Sequence, residues 1–179
     1  MIYLLLAEGF EEIEAITPLD ILRRLGAEAV TVSVGGEDLV TGSHGITVRA
    51  DIPIGQAGGD FDMLILPGGM PGTDNLQKSP KVIELIKKAA DGGKYIGAIC
   101  AAPKILGELG LLRGKRVTCF TGYEKYLLGA EITEEPIEAD GNIITARGAG
   151  VSCAFGFMLG AVLYGQEAAR DLMKKMRYV

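Results

Sequence analysis

The sequence predicts an α/β fold in which a mostly parallel central sheet is covered by helices on both faces. Short continuous apolar runs, typical of strands buried on both faces, alternate along the chain with segments of helical periodicity. The 179 residues suffice for one domain with a substantial core. No internal repeat, low-complexity tract or linker divides them. We therefore expect a single domain spanning residues 1–179.

Strands and helices follow one another in a regular order. The predicted strands are Ile2–Ala7, Val30–Val34, Met63–Leu66, Tyr95–Ile99 and Arg116–Cys119, with hairpins at Leu39–Val48 and Ile137–Thr145. The predicted helices are Glu11–Leu25, Ser79–Ala90, Ala101–Leu109, Val151–Tyr164 and Gln166–Met176. The start of the first helix stays open, because Thr17-Pro18-Leu19-Asp20 resembles a capping box and would begin the helix later.

Composition and charge exclude several classes of protein. The net charge of −5 gives no general attraction to nucleic acid or to acidic membrane surfaces, and no apolar run reaches the roughly 18 residues of a membrane span. Three cysteines without CxxC spacing form neither a disulfide framework nor a zinc ribbon, and Cys119 and Cys153 are interpreted as structural. One histidine excludes a metal site built on several imidazoles. We expect a cytoplasmic protein without metal or cofactor.

Cys100 stands directly between an apolar strand and a predicted helix. Its neighbours Ala98, Ala101 and Ala102 are small, as the sharp strand-to-helix turn of a nucleophile elbow requires. A thiol at a helix N-terminus feels the positive end of the helix dipole, which favours the thiolate. The pattern thus indicates a reactive cysteine. A buried structural cysteine remains the alternative, because Cys packs as a small hydrophobic residue.

Glu14 is the second candidate. If the helix begins at Glu11, Glu14 shares a helical stripe with Ile21 and other apolar residues, so its carboxyl group would be buried. Burial raises the pKa of a carboxyl group, and a protonated Glu14 could donate a hydrogen bond to a thiolate. If the helix begins later, Glu14 is an ordinary loop acid. Glu8, Glu11 and Glu12 are expected to be solvated.

Three loops supply further candidates. Gly68-Gly69 follows a buried strand and offers backbone N–H groups that could stabilise an oxyanion beside Cys100, or it simply permits a tight turn. The surrounding sequence matches neither a phosphate loop nor a dinucleotide fingerprint. His44 lies on a predicted hairpin loop, far from Cys100 in sequence. Arg147 opens a turn before the next predicted helix, which suits anion contact or plain packing.

Four motifs occur in a specific order along the chain. They are Gly9-Phe10-Glu11-Glu12-Ile13-Glu14 with Pro18 and Asp20, then Leu66-Pro67-Gly68-Gly69, Ala98-Ile99-Cys100-Ala101-Ala102-Pro103 and Arg147-Gly148-Ala149-Gly150. Together they resemble the DJ-1/ThiJ/PfpI superfamily, and most closely the branch of the parkinsonism-associated protein deglycase and its bacterial relatives. The resemblance runs from Ile2 to about Ala169. It implies a flavodoxin-like, class I glutamine-amidotransferase-like three-layer sandwich with a mostly parallel central sheet.

The resemblance also implies a role for the central residues. Cys100 would be the nucleophile, Glu14 the protonated partner of its thiolate, and the backbone groups of Gly69 and Ala101 the oxyanion site. The implied activity is that of a cofactor-independent cysteine enzyme of the glyoxalase or deglycase type. Its substrates would be small reactive carbonyls, or early glycation adducts of proteins and nucleotides. A peptidase is disfavoured because the protease-like branch carries His where this chain has Ala101.

Four further positions are candidates for the pocket or a subunit interface. Family members are typically homodimers, and the resemblance places Arg24 and His44 near the interface and the pocket mouth. The position of an active-site histidine in the human relative falls at about Phe120, so no histidine base from the same chain is expected beside Cys100. Arg147 completes this set. No sequence-specific nucleic-acid binding and no membrane association are expected.

A non-catalytic redox sensor, or a chaperone-like stress protein, is the alternative from another functional class. An accessible thiol beside an acid that can hydrogen-bond a sulfinate also suits a peroxide sensor oxidised at Cys100. The residues alone leave the choice between turnover and oxidation open.

Overall fold

The computed structural model describes residues 1–178. Its strands are β1 (Ile2–Leu6), β2 (Ala29–Ser33), β3 (Leu39–Thr41), β4 (Thr47–Arg49), β5 (Ile52–Pro53), β6 (Met63–Leu66), β7 (Tyr95–Ile99), β8 (Arg116–Val117), β9 (Glu131–Ile132), β10 (Ile137–Asp140) and β11 (Ile143–Ala146). Its helices are α1 (Glu12–Arg24), α2 (Gly72–Lys78), α3 (Pro80–Asp91), α4 (Pro103–Glu108), α5 (Ser152–Tyr164) and α6 (Gln166–Lys175). Short 3₁₀ helices lie at Ile54–Gln56, Glu124–Tyr126 and Ala149–Val151.

Seven strands form the central sheet, in the order β10-β11-β7-β6-β1-β2-β5. Neighbouring strands are parallel except β10 and β11, which form the antiparallel hairpin that the sequence predicts. The chain passes from β1 outward to β2 on one side and later to β6 on the other, so the order reverses between β1 and β6. In open α/β sheets, ligands bind beyond the carboxyl ends of the strands at such a switch point.

Alternate residues of β1 face opposite sides of the sheet. Tyr3 and Leu5 belong to an apolar cluster that includes residues of α2, α3 and α4, whereas Leu4 and Leu6 belong to a second cluster with α1 and α5. Helix α6 packs on the outer side of α1 and α5 through a third, smaller cluster. The predicted α/β fold, with a mostly parallel sheet between two helical layers, is confirmed.

Helix α1 begins at Glu12, which decides between the two predicted starts. Glu11 is the N-cap residue, and its side chain accepts the backbone N–H of Glu14 at 2.7 Å. This bond satisfies one of the donors that are left unpaired at a helix start. Pro18 therefore lies inside the helix, and the alternative start at Thr17 is wrong.

Other elements differ from the predicted ones in length. The helix predicted from Ala101 begins only at Pro103, whose missing N–H suits the first helical turn. The strand predicted from Arg116 has two residues and pairs with β9, outside the central sheet. The sequence does not predict α2, because its largely polar segment lacks helical apolar periodicity. Within residues 1–178, no helix is long and apolar enough to cross a membrane.

Candidate active site

Cys100 lies at the carboxyl end of β7 in a strained backbone conformation. Its φ of 65° is in the left-handed region that side chains other than glycine rarely adopt. The backbone is fixed from both sides, since the Cys100 N–H donates to the Ala146 carbonyl and the Cys100 carbonyl accepts the Phe120 N–H, each at 2.8 Å. This is the geometry of the predicted nucleophile elbow.

Gly68 allows Cys100 and Glu14 to approach each other. A Cβ atom at Gly68 would lie 2.7 Å from the Cβ of Cys100 and 2.5 Å from Oε2 of Glu14, distances that real Cβ atoms do not tolerate. The Gly68 N–H donates to the same Oε2 at 2.8 Å. Glycine is therefore required at position 68 because β6, β7 and α1 approach one another closely there, and not only because the chain turns.

Replacing Gly68 with alanine is expected to separate Glu14 from Cys100. The added methyl group displaces the carboxyl group, and overpacking of this kind costs about 1–3 kcal/mol of stability. We expect a lower unfolding midpoint in urea and a slower alkylation of Cys100 by iodoacetamide. The matched control is Gly35→Ala, because a Cβ there meets nothing within 4 Å. Equal alkylation rates in the two variants would contradict the role given to Gly68.

Glu14 lies in the first turn of α1 and is buried, with 1% of its surface exposed. Burial is the main reason that its pKa rises from the usual 4.5 to about 7, and the charge of Glu11 raises it further, while hydrogen bonds with Cys100 and Gly68 oppose the shift. Its second oxygen, Oε1, is buried without a nitrogen or oxygen partner. A proton on this carboxyl group removes the cost of burying a charge and gives it a donor. The expected burial of Glu14 is confirmed, and the rise of its pKa to about 7 agrees with the expected protonation below neutral pH.

The Cys100 thiol departs from the expectation based on the helix dipole. Burial raises the pKa of Cys100 to about 12, and the charge of Glu14 adds to this, while the backbone N–H groups of Ala101 and Gly69 lower the pKa only in part. The helix dipole lowers the pKa of Cys100 only a little, because α4 has six residues and begins at Pro103, three residues after Cys100. Burial therefore outweighs the stabilisation of the thiolate that the helix dipole was expected to give.

Between about pH 7, where Glu14 loses its proton, and about pH 12, Cys100 and Glu14 hold one proton between them. Removing both protons would place two charges side by side in a buried site, which is why the pKa of Cys100 rises when Glu14 is ionised. Within this one-proton state, a thiolate is present only when the proton sits on Glu14 rather than on Cys100. In that state the Glu14 O–H donates to the sulfur, and the N–H groups of Gly69 and Ala101 also stabilise the negative sulfur.

The structure brings together the four residues that the sequence placed at the centre of the site. Gly69 has a φ of 89°, and a Cβ there would lie 2.4 Å from the Glu11 nitrogen, so only glycine can present its N–H to the sulfur at this position. The Ala101 N–H also stabilises the negative form of the Cys100 sulfur. Two backbone donors on one sulfur are the arrangement that stabilises an oxyanion formed next to it.

His44 and Arg24 are both exposed and pair with carboxylates. The His44 ring is 70% exposed, and its Nδ1 lies 3.0 Å from Oε2 of Glu12 and 3.8 Å from Oε1 of Glu11. These carboxylates raise the pKa of His44, with Glu12 as the main cause. Arg24 is exposed at the end of α1 and pairs with Asp20 at 2.6 Å.

Phe120 and Arg147 line a cavity of about 650 Å³, whose lining residues do not include Cys100 or Glu14. The Phe120 side chain is 50% exposed, and its ring packs 3.3 Å from where a Cβ at Gly148 would lie. Because the Phe120 N–H is bonded to the Cys100 carbonyl, this wall of the cavity is fixed directly to the nucleophile.

Glu11 and Glu12 are buried, so the expectation that they are solvated is wrong. Oε1 of Glu12 accepts the backbone N–H groups of His44 and Ile46, at 2.8 and 3.3 Å, and so binds the β3–β4 loop to the start of α1. Backbone donors of a distant loop leave no signal in the spacing of the sequence. Atoms of Glu11, Glu12 and His44 lie within 4.8 Å of one another, a set that could ligate a metal. The hydrogen bonds already account for this cluster.

Known proteins are similar to nearly the whole chain. The sequence profile of the DJ-1/PfpI family matches residues 1–161. Protein DJ-1 homolog B of Arabidopsis thaliana is 35% identical over 171 residues, which make up 94% of this chain but only 39% of that protein. A protein of Pyrococcus abyssi that is named a deglycase is 33% identical over 149 residues, covering 82% of this chain and 89% of its own length.

Two solved structures share the fold at almost full length. A mutant of a DJ-1 superfamily protein from Salmonella typhimurium has a TM-score of 0.93 and 36% identity, covering 99% of this chain and 98% of its own. Oxidized DJ-1 of Toxoplasma gondii has a TM-score of 0.94 and 32% identity, covering 98% of this chain and 96% of its own. The mostly parallel sheet and its two helical layers are thus those of DJ-1 superfamily structures.

Proposed function

The chain belongs to the DJ-1/PfpI family, and from this premise we propose that it is a cofactor-independent cysteine enzyme acting on reactive carbonyls or early glycation adducts. One observation carries the proposal: the buried Glu14 carboxyl group and Cys100 meet at Gly68, where an added Cβ would lie 2.5 Å from Oε2 of Glu14 and 2.7 Å from the Cβ of Cys100. The naming of a similar Pyrococcus abyssi protein as a deglycase supports the same substrate class. Such a site supplies a nucleophile, a proton and oxyanion stabilisation without any cofactor.

The proposed reaction begins when the Cys100 sulfur forms a bond to the aldehyde carbon of methylglyoxal. The carbonyl electron pair moves to the oxygen, which takes the proton from Glu14 and becomes the hydroxyl group of a hemithioacetal. During this step the N–H groups of Gly69 and Ala101 stabilise the developing negative charge.

Glu14 is then ionised and acts as the base in the second half of the reaction. It removes the hydrogen of the former aldehyde carbon as a proton, and the electron pair forms the carbon–carbon double bond of an enediolate. The hydroxyl proton of that carbon passes to the oxygen of the neighbouring carbon, and Glu14 returns its proton to the neighbouring carbon. This converts the hemithioacetal into a thioester. Water cleaves the thioester to lactate and restores the Cys100 thiol, so the net change is the addition of one water to methylglyoxal.

The test of the proposed function compares a free aldehyde with an adduct. Purified protein is incubated with methylglyoxal, or with the preformed hemithioacetal of methylglyoxal and N-acetylcysteine, and lactate is followed by proton NMR. Lactate formation above the protein-free rate in either arm supports the proposal, and the faster arm identifies the preferred substrate. The absence of protein-dependent lactate in both arms would contradict it.

A redox sensor is the second candidate, and the partial exposure of Cys100 favours it. A similar structure is described as oxidized Toxoplasma gondii DJ-1. A Cys100 sulfinate would lie where protonated Glu14 can donate to one of its oxygens. Intact mass after graded peroxide distinguishes the candidates: two added oxygens on Cys100, together with negligible lactate formation, would favour the sensor or a chaperone-like role.

A homodimer is the quaternary structure that we propose. Ile13 and Ile16, three residues apart on one face of α1, are exposed although both are large and apolar, which is unusual for a face in contact with water. This face adjoins the helix turn that carries Glu14. Light scattering is expected to give about twice the 18.9 kDa of one chain, and a mass of one chain would contradict the proposal.

A further inference from the structure

A partly buried ion pair joins the two helices that follow the oxyanion segments. Lys104 is the second residue of α4, and its side chain is 10% exposed. Its Nζ donates to Oδ1 of Asp74, on α2. Lysine is almost never buried unless its charge is paired, so this contact fixes where the two helices meet.

Two tyrosine rings enclose the same amine. Nζ of Lys104 lies 5.9 Å from the ring centre of Tyr123 and 5.7 Å from that of Tyr126, within the range of cation–π attraction. The two rings lie 6.0 Å apart. They belong to the segment that begins at Phe120, whose N–H is bonded to the Cys100 carbonyl. Lys104 therefore holds three chain segments together: α2, α4 and the segment from Phe120 to Tyr126.

Each partner of the ion pair is linked closely to one of the two N–H donors at the sulfur. The Lys104 N–H donates to the Ala101 carbonyl at 3.2 Å. The N–H of Thr73, the residue before Asp74, donates to the Gly69 carbonyl at 2.8 Å. The distance between the Gly69 and Ala101 N–H groups is thus set by elements that the ion pair fixes.

We propose that Lys104 is a positioning residue, which with Asp74 holds the N–H groups of Gly69 and Ala101 at the separation that stabilises a negative charge on or beside the Cys100 sulfur. The inference rests on the proposed function for its effect on turnover, but not for its effect on the thiol. The ion pair adds little net stability, because burial costs the Lys104 ammonium its hydration while the partly exposed Asp74 is screened by water. Its effect on the site is therefore separable from its effect on the fold.

The test uses Lys104→Met, Asp74→Asn and the double variant. Methionine keeps most of the stem that packs between the tyrosine rings, and asparagine keeps the shape of aspartate. Loss of one oxyanion donor costs about a hundredfold to a thousandfold in rate, and a displaced donor costs less. We therefore expect about a tenfold lower kcat, an unchanged KM and a Cys100 alkylation profile moved to higher pH. The double variant should be no slower than Lys104→Met, because the two side chains act as a unit.

The matched control is Arg23→Met, which breaks the 2.6 Å ion pair between Arg23 and Asp51. Arg23 lies in the last turn of α1, far along the helix from Glu14. This substitution is expected to change the unfolding midpoint without moving the alkylation profile of Cys100. A folded Lys104→Met or Asp74→Asn variant with the wild-type alkylation profile would overturn the proposal. Alkylation needs no turnover, so the absence of lactate formation in the wild type would count against the proposed function alone.

Discussion

Replacing Cys100 with serine is expected to lower the rate of lactate formation from methylglyoxal by about a thousandfold or more. Serine has nearly the same shape, so the strained elbow and its two backbone hydrogen bonds should persist. A hydroxyl group, however, loses its proton far less readily than a thiol, and protonated Glu14 is a donor that cannot take that proton away. The loss should therefore appear in kcat.

The matched control for this variant is Cys153→Ser. Cys153 is also a free and partly buried thiol, but it lies on α5 and packs beside α6, away from the elbow. We expect it to keep at least half of the wild-type rate. A Cys100→Ser variant that forms lactate as fast as Cys153→Ser would show that the sulfur at position 100 is not the nucleophile.

Replacing Glu14 with glutamine is expected to lower the same rate by about a hundredfold to ten-thousandfold, the usual contribution of a general acid–base group. Glutamine keeps the shape of the side chain and can still accept the Gly68 N–H, but it cannot give up or take back a proton. The hemithioacetal would then form slowly, and its conversion to the thioester would have no base. A variant with the wild-type rate would contradict the role of Glu14.

The same substitution is expected to change how stability depends on pH. Folded protein keeps the Glu14 proton up to about pH 7, whereas unfolded chain loses it near the usual 4.5. Between these two pH values the folded state binds more protons than the unfolded state. The stabilisation that the Glu14 proton gives to the folded state is therefore complete below pH 4.5 and is lost as pH rises through 7. Relative to Glu14→Gln, the free energy of unfolding of the wild type should fall by about 3 kcal/mol between pH 4.5 and pH 8.

Urea unfolding of both proteins at pH 5, 6, 7 and 8 measures this difference, because the other titrating groups are common to both. A difference between wild type and Glu14→Gln that stays constant across this range would show that Glu14 is not protonated in the folded state.

The fold could be predicted almost completely from the sequence, because its determinants are local. Buried parallel strands are continuous apolar runs, as in Met63–Leu66 and Tyr95–Ile99, where the predicted and observed bounds agree. The start of α1 could not be decided in this way. Pro18 favours a helix that begins near Thr17, whereas the side chain of Glu11 caps a helix that begins at Glu12. The hydrogen bond from the Glu14 N–H to Glu11, which decides between the two starts, is visible only in the structure.

The site was predictable where it depends on residue type and order. Small residues around Cys100 and glycines after β6 are both visible in the sequence. At Gly68 and Gly69 the segments that follow β1, β6 and β7 approach so closely that a larger residue would not fit. The thiol pKa was not predictable, because burial acts through neighbours from other segments and outweighs the dipole of the short α4. The Lys104–Asp74 contact, 30 residues apart in sequence, depends on how α2 and α4 pack together.

The central claim is that Cys100 and Glu14 share one proton, and the pH dependence of Cys100 alkylation tests it most directly. The rate of iodoacetamide alkylation is followed by intact mass from pH 5 to 10 in the wild type and in Glu14→Gln. We expect a step near pH 7 in the wild type, where the pair loses its first proton, and no such step in Glu14→Gln. Identical curves that follow an ordinary thiol titration near about 8.5 in both proteins would contradict it.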